Sequence, residues 1–237
     1  MNSVKLDVAS ELCSNLASLI RTKISRLPHL EELVSDYDEV HTGDVSIYNY
    51  MWNSKGLRKL HIERAVTSKG IEILHCVLFP DPEFPIPIFG CDIVATPTTV
   101  TAAIVDVSPV YGAERVYPDI ARVANNFTFK HKRPLPLWSE EIFSPHCKFM
   151  RLKSEIDKAN YYCVVSLYLR IFCDVVRDAK HDHFWPNVMR RIDDQIWYCK
   201  SQKKNDKTLA VLSKWFDKEF AEKYIDTILF DEPDAKY

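Results

Sequence analysis

The stretch LRKLHIERAVTSKGIEILHCVLFPDPEFPIPIFGCDIVA, residues 57–95, determines the centre of the fold. Its β-branched and aromatic runs are separated by Ser68-Lys69-Gly70 and by a proline-rich connection at 80–87. A three-residue loop that ends in glycine is typical of a tight hairpin, and proline cannot continue a strand ladder. The stretch therefore predicts three antiparallel strands in series.

The two connections predict which residues face each other. If Thr67 pairs with Ile71 across the first loop, Glu63 faces His75. Placing the proline-rich connection symmetrically makes His75 face Asp92 in turn. Directly opposed residues lie on the same face of a sheet about 5 Å apart. Glu63, His75 and Asp92 are thus predicted to form a row across three strands, although a single β-bulge would move one of them to the other face.

Apolar residues share the predicted face of this row. They are Ile71, Ile73, Val77, Phe79 and Val94. Burial among them would raise the pKa of a carboxyl group, and pairing with carboxylates would raise the pKa of the imidazole, so the row could hold or pass protons near neutral pH. A solvated sheet face with a surface ion pair explains the same residues. Burial under the C-terminal helices would favour the proton-transfer site.

The rest of the chain places helices on both sides of this β region. Periodic apolar residues predict helices at 10–27, 155–178, 186–201 and 206–227. Strands are predicted at 45–52, 57–67, 71–79, 88–95, 99–107 and 147–152, with a mixed segment at 111–145. This order predicts an α/β fold, a three-layer α/β/α sandwich with a central antiparallel sheet. Because no linker or repeat is visible, residues 1–237 are expected to form a single domain.

Composition excludes several classes of protein. The chain has five glycines and neither GxxxxGK[ST] nor GxGxxG, so the usual nucleotide signatures are absent. A net charge of −2 gives no basic excess for nucleic acid. The longest uncharged run, 93–105, is too short to span a bilayer, and the first residues do not resemble a signal peptide. We therefore expect a soluble cytoplasmic protein with no nucleic-acid or membrane partner.

Cysteine and histidine spacing gives no metal site. The seven cysteines are scattered without a C-x-x-C pair, which predicts reduced and mostly buried thiols. His181-Asp182-His183 resembles a ligand cluster, but its position between predicted helices indicates a polar loop.

Five separated blocks of the sequence carry a family resemblance. In order they are LRKLHIERA, GIEILHCVLFPDPEFPIPIFGCDIVA, TAAIVDVSP, IFSPHCKFMR and QKKNDKTLAVL. Together they resemble the ferredoxin-dependent bilin reductases over about residues 57–227. The resemblance implies a monomer that binds biliverdin IXα between the sheet and the C-terminal helices. It also implies no bound cofactor, because reduced ferredoxin supplies single electrons and the tetrapyrrole holds the radical intermediates.

The resemblance also implies roles for individual residues. Glu63 matches the acid that protonates the vinyl group of the D-ring, and His75 and Asp92 match the pair that protonates the bilin and relays protons towards the A-ring. His61 matches a supporting histidine. The substrate-binding residues are expected to be His61, Asn205, Asp206, Lys207 and Arg151, of which Asp206 approaches from the helical side and the last two hold the propionates.

The presence of Glu63 bears on the product, since some close relatives that make other bilins lack this glutamate. It implies a four-electron reduction of biliverdin IXα to phycocyanobilin through an intermediate reduced at the D-ring vinyl group. The alternatives are a sibling reductase that makes phycoerythrobilin and a non-catalytic bilin carrier. A carrier would not need the whole row of Glu63, His75 and Asp92.

Ferredoxin is acidic, so its docking requires a basic patch on this net-acidic chain. The candidates are two runs: Lys130, Lys132 and Arg133, and Lys200, Lys203 and Lys204. Either run would also be compatible with an ordinary solvated surface.

Overall fold

The computed structural model describes residues 8–233, so residues 1–7 and 234–237 of the predicted domain lie outside the described part of the chain. The α-helices in this range are α1 (Val8–Ile24), α2 (Tyr117–Asn126), α3 (Glu155–Asp178), α4 (Trp185–Gln202), α5 (Asp206–Trp215) and α6 (Lys218–Tyr224). The strands are β1 (Glu31–Leu33), β2 (Glu39–His41), β3 (Val45–Ser54), β4 (Leu57–Thr67), β5 (Glu72–Pro80), β6 (Ile88–Ala95), β7 (Val100–Ser108) and β8 (Lys148–Leu152).

The strands form one antiparallel sheet in the order β1-β3-β4-β5-β6-β7-β8, and β2 pairs with β3 as well. Helices α1 and α3, together with α2, cover one face, whereas residues of α4, α5 and α6 pack on the other. The predicted three-layer α/β/α sandwich with a central antiparallel sheet is therefore confirmed. The strands predicted between 45 and 107 are also confirmed, with ends that differ by one or two residues.

The face towards α1, α2 and α3 is apolar. Its strand residues alternate with those of the other face, and the buried ones include Leu60, Ile62, Leu74, Cys76, Ile93 and Val105. By length and composition α3 could cross a membrane. Its buried residues, among them Tyr161, Leu169 and Phe172, instead pack in this core, as expected for the central helix of a globular protein.

The prediction of one long helix over 206–227 is wrong. The chain leaves the helical conformation at Phe216, where φ is −118° and ψ is −101°. Asp217 then begins α6 as its N-cap, accepting a hydrogen bond from the backbone N–H of Phe220 at 2.7 Å. A side-chain cap of this kind satisfies a free N–H group and starts a new helix. A π-helical turn, Ile225–Leu229, follows α6 and leads the chain back onto the sheet.

Strands β1 and β2 are not evident from the sequence. Each has three residues, mostly exposed, and both pair with β3 at the edge of the sheet. Three residues are too few to show the alternation that identifies a strand. The cysteine prediction is confirmed, since all seven thiols are free and five of them are buried.

Candidate active site

The predicted row is present on the face of the sheet that α4, α5 and α6 cover. Glu63 of β4 pairs with His75 of β5, and His75 pairs with Asp92 of β6. Gly70 closes the first hairpin with a φ of 74°, a left-handed conformation that glycine adopts without a steric penalty. No bulge interrupts the ladders between the hairpin and the row, so the register that the loops predict is retained.

The row extends further than the sequence indicated. Asn49 of β3 pairs with Glu63 on one side. On the other side Asp92 pairs with Ile104 of β7, which pairs with Phe149 of β8. Since opposed residues share a face, one line of side chains crosses the sheet from Asn49 to Phe149.

His75 and Asp92 form the ion pair of the row. Nδ1 of His75 lies 2.6 Å from Oδ1 of Asp92, and the His75 side chain is largely buried. Burial disfavours the charged imidazole, but the charges of Asp92 and Glu63 and the hydrogen bond to Asp92 outweigh it, so the pKa of His75 is raised. His75 therefore retains its proton to a higher pH than an ordinary histidine.

Glu63 is 6% exposed, and burial raises the pKa of its carboxyl group. The neighbouring His75 and a hydrogen bond from Tyr224 oppose that rise, whereas Asp92 adds to it. Tyr224 belongs to α6 and donates to Oε2 of Glu63 at 2.6 Å. A buried carboxyl group with a raised pKa can act as an acid near neutral pH.

His61 lies beside the row and is fully buried. Its Nε2 is 2.8 Å from Oδ1 of Asn49, and its ring centroid is 5.7 Å from that of His75. Burial, Lys59 and His75 hold the pKa of His61 well below its usual value, so this imidazole is neutral.

Two buried ring nitrogens of this cluster, Nδ1 of His61 and Nε2 of His75, have no hydrogen-bond partner among the described residues. Buried polar atoms almost always have partners. The two nitrogens therefore mark a place where a polar group of a substrate can be bound.

The segment after α6 contacts the row at His75. The Phe230 ring meets the His75 ring edge-on, with centroids 5.7 Å apart. Asp231 forms ion pairs with Arg58 and Lys59, and Nζ of Lys59 donates to the carbonyl of Ile228 at 2.7 Å. A bulge in β4 at this point lets both Arg58 and Lys59 approach the same ring, Phe79.

Sequence reasoning missed several of these residues. Pairing across the Lys55-Gly56 turn would not have identified Asn49, because Ser54 pairs with Leu57 there and a regular ladder would set Tyr48 against Glu63. A β-bulge between Trp52 and Ser54 shifts the register by one residue and brings Asn49 opposite Glu63. Tyr224, Phe230 and Asp231 carry no local signal. They reach the site only through the packing of the last helix on the sheet.

Apart from His61, the predicted substrate-binding residues make no hydrogen bond or ion pair with the row in the described part of the chain. Asn205 caps α5 by accepting from the backbone N–H of Lys207 at 3.3 Å. Asp206 and Lys207 are exposed in the first turn of that helix. Arg151 is exposed on β8, two residues from Phe149 and so on the same face as the row.

Within residues 8–233 no group of three or more histidine, cysteine or acidic side chains could hold a metal ion. His181 instead pairs with Glu83 at 2.7 Å, and Asp182 accepts from Arg191 at 3.0 Å. These contacts fit the predicted polar loop.

Comparison with known proteins identifies the family. The family model for ferredoxin-dependent bilin reductases matches residues 9–231. The chain belongs to the ferredoxin-dependent bilin reductases. As a member of this family it is an oxidoreductase whose electron donor is ferredoxin, as predicted.

Relatives of this bilin reductase include two cyanobacterial phycocyanobilin:ferredoxin oxidoreductases. The protein from Prochlorococcus marinus (strain MIT 9515) is 39% identical over 219 residues, which cover 92% of this chain and 88% of the relative. The protein from Synechococcus sp. (strain CC9902) is 38% identical over 231 residues, covering 94% and 93% respectively.

The fold is also found in a solved structure. The structure of phytochromobilin synthase from tomato in complex with biliverdin superposes on this bilin reductase with a TM-score of 0.70. The match covers 93% of this chain and 82% of the tomato chain at 16% identity, so it supports the fold alone.

Proposed function

We propose that this bilin reductase converts biliverdin IXα to phycocyanobilin, using four electrons from ferredoxin and passing through an intermediate reduced at the D-ring vinyl group. The observation that carries the proposal is the row of Glu63, His75 and Asp92, whose pairing is continuous across three strands and which runs from the buried Glu63 to the partly exposed Asp92. The names of the relatives at 38–39% identity support the choice of product.

The row supplies what each reduction step requires. Adding an electron to a conjugated bilin raises its basicity, so a proton must follow to a chosen carbon. Acids fixed under a flat substrate determine which carbon receives it. Glu63 is the proposed donor to the D-ring vinyl group, because it is buried, because its carboxyl pKa is raised and because it lies at one end of the acidic row.

His75 and Asp92 are the proposed donors to the rest of the bilin and its A-ring side. The raised pKa of His75 keeps it protonated, and Asp92 orients the ring through the bond to Nδ1. This leaves Nε2 of His75 directed to the substrate, and it is one of the two buried nitrogens without a partner. His61 supplies the other and supports the row as a neutral group.

Asp206 and Asn205 are proposed to approach the bilin from the helical side, and Lys207 and Arg151 to hold its propionates through charge-assisted hydrogen bonds. Lys207 and Arg151 are exposed, as expected of residues that bind the charged ends of a substrate whose rings lie inside. The apolar side chains around the row, such as Ile73 and Val77, would cover the rings.

Ferredoxin is proposed to dock at the edge of the sheet formed by β8. The run Lys130, Lys132 and Arg133 pairs with this edge through Lys132 and Met150, and both lysines are exposed. Arg133 lies 4.6 Å from the centroid of the Phe149 ring, the last side chain of the row.

The other basic run is a weaker candidate for docking. Its Lys203 forms ion pairs with Asp226 at 2.9 Å and with Glu232 at 3.3 Å, so its charge is already compensated. Lys200 and Lys204 are exposed.

We further propose that the enzyme works as a soluble monomer in the cytoplasm.

The test is an anaerobic incubation of the purified protein with biliverdin IXα, ferredoxin and a reducing system, with the pigments identified by chromatography and absorbance. We expect phycocyanobilin, preceded by a D-ring-reduced intermediate at early times. Phycoerythrobilin as the product would overturn the choice of product. Unchanged biliverdin bound in a one-to-one complex would show a carrier instead of an enzyme.

A further inference from the structure

One hydroxyl group lies within hydrogen-bond distance of two acceptors at the end of the row. The Tyr224 hydroxyl is 2.6 Å from Oε2 of Glu63 and 2.8 Å from Oδ1 of Asn49. A tyrosine hydroxyl carries a single proton. Tyr224 can therefore donate to only one of the two at a time, and Glu63 and Asn49 compete to accept that hydrogen bond.

The Asn49 side chain is fixed by two further contacts. Its Nδ2 donates to the carbonyl of Tyr37 at 2.6 Å, which directs Oδ1 towards Tyr224, and Nε2 of His61 lies 2.8 Å from the same Oδ1. A carbonyl oxygen has two lone pairs, so Oδ1 can accept from His61 and Tyr224 together. Asn49 thus remains available as an acceptor in either charge state of Glu63.

We propose that Tyr224 and Asn49 are positioning residues that serve both charge states of Glu63. While Glu63 holds its proton, Tyr224 donates to Asn49. When Glu63 has given its proton to the substrate, the Tyr224 hydroxyl rotates and donates to the new carboxylate. Tyr224 itself loses no proton: the one that Glu63 releases goes to the substrate carbon, and the Tyr224 O–H bond only changes its acceptor.

The difference in strength between the two hydrogen bonds drives this exchange. A bond to a carboxylate is roughly twice as strong as a bond between neutral groups. The Tyr224 hydroxyl therefore donates to Glu63 when Glu63 is ionised, and to Asn49 when Glu63 is neutral. Tyr224, Asn49 and Glu63 are all buried, so water does not replace the missing partner.

The other titratable groups near Glu63 belong to the sheet. His75 faces it from β5 and Asp92 lies beyond His75 on β6, while neutral His61 and the buried Lys59 lie further along β4. From the helical layer only the Tyr224 hydroxyl is hydrogen-bonded to Glu63 within the described chain. A change at Tyr224 or Asn49 therefore removes no charged group from the row.

The inference rests on the proposed role of Glu63 as the D-ring proton donor, but its test requires no substrate. The pKa of Glu63 is measured in the ligand-free protein by infrared difference titration of the protonated carboxyl band, which is assigned by its loss in Glu63→Gln. Tyr224→Phe removes the donor to the carboxylate and should raise the pKa of Glu63 by about one pH unit. Asn49→Leu removes the competing acceptor, so it should lower that pKa.

Opposite shifts from two variants of one network are the signature of competition, because a merely structural role would not give opposite signs. In the double variant, Asn49→Leu should have no further effect on the pKa of Glu63, since the shared hydroxyl is gone. Tyr48→Phe is the matched control, since it removes a hydroxyl from the opposite face of β3 beside Asn49.

Circular dichroism and thermal unfolding of the same samples check that each variant is folded. An unchanged pKa of Glu63 in folded Tyr224→Phe would overturn the proposal, and so would shifts of the same sign in the two single variants. Tyr224→Phe alone is sufficient to reject it if Asn49→Leu does not fold. Failure here would leave the role of Glu63 to be judged by the products of Glu63→Gln.

Discussion

The two faces of the sheet come from the same strands but bury different kinds of residue. Towards α1 and α3 the buried strand residues, such as Ile62, Leu74 and Ile93, are apolar. Towards α4, α5 and α6 the alternate positions include the buried polar residues Asn49, Lys59, His61, Glu63 and Asp106. Burying polar groups lowers stability unless each is hydrogen-bonded. Burial on the apolar face thus offsets the free-energy cost of burying titratable groups on the polar face.

The largest expected change in free energy belongs to the apolar face. Leu74 is fully buried there, next in sequence to His75 of the row. Leu74→Ala should lower the free energy of unfolding by about 2–5 kcal/mol, because it removes buried methyl groups and leaves a cavity. Urea denaturation followed by circular dichroism measures this change.

The same variant should keep its product and its activity per folded molecule, because Leu74 and His75 point to opposite faces. A change of product in Leu74→Ala, with the stability unaltered, would contradict the assignment of stability to one face and proton transfer to the other.

On the polar face, the next largest effect is expected from Asp106, through the pH dependence of the free energy of unfolding. It is fully buried on β7, accepting from Ser108 at 2.7 Å and from the backbone N–H of Ser144 at 2.9 Å. Burial raises its pKa from 3.8 to about 6, although the bonds from Ser144 and Ser108 oppose the rise. The folded protein therefore binds this proton more tightly than the unfolded chain does.

It follows that the stabilising contribution of protonated Asp106 is fully present below about pH 4 and is lost as the pH rises to about 6. A shift of about two pH units corresponds to about 3 kcal/mol. Urea denaturation at a series of pH values should show wild-type stability falling relative to Asp106→Asn over this range. A constant difference between the two proteins would contradict the raised pKa of Asp106.

The smallest expected effect lies at the rim, where the sheet edge meets the solvent. Reversing the charges of Lys130 and Lys132 should raise the KM for ferredoxin by roughly threefold to tenfold at low salt, since exposed charges mainly change the rate of encounter. The same reversal at Lys200 and Lys204 is the matched comparison and should have less effect. Equal effects at the two runs would argue against docking at β8.

The sequence predicts the row because two short connections set the register of β4, β5 and β6. Glu63, His75 and Asp92 could be placed on one face by pairing alone, and the observed ladders agree. Helical periodicity before and after the β region likewise predicts a layer of helices on each face of the sheet. These features are local, since each depends on residues close together in the chain.

The rest of the site depends on long-range packing. Tyr224 meets Glu63 across 161 positions of the sequence, and Asp231 meets Lys59 across 172. The break between α5 and α6 at Phe216, which allows this approach, was hidden within one continuous helical pattern. Sequence periodicity indicates which face of a helix is buried, but not which partner it meets.

The product of Glu63→Gln is the most direct test of the central claim that the row of Glu63, His75 and Asp92 sets where protons are delivered. The variant is incubated anaerobically with biliverdin IXα, ferredoxin and a reducing system beside the wild type, and the pigments are separated by chromatography. We expect A-ring reduction to continue and D-ring vinyl reduction to stall, because glutamine occupies the same position but carries no acidic proton. Phycocyanobilin formed at the wild-type rate would contradict the assignment of Glu63.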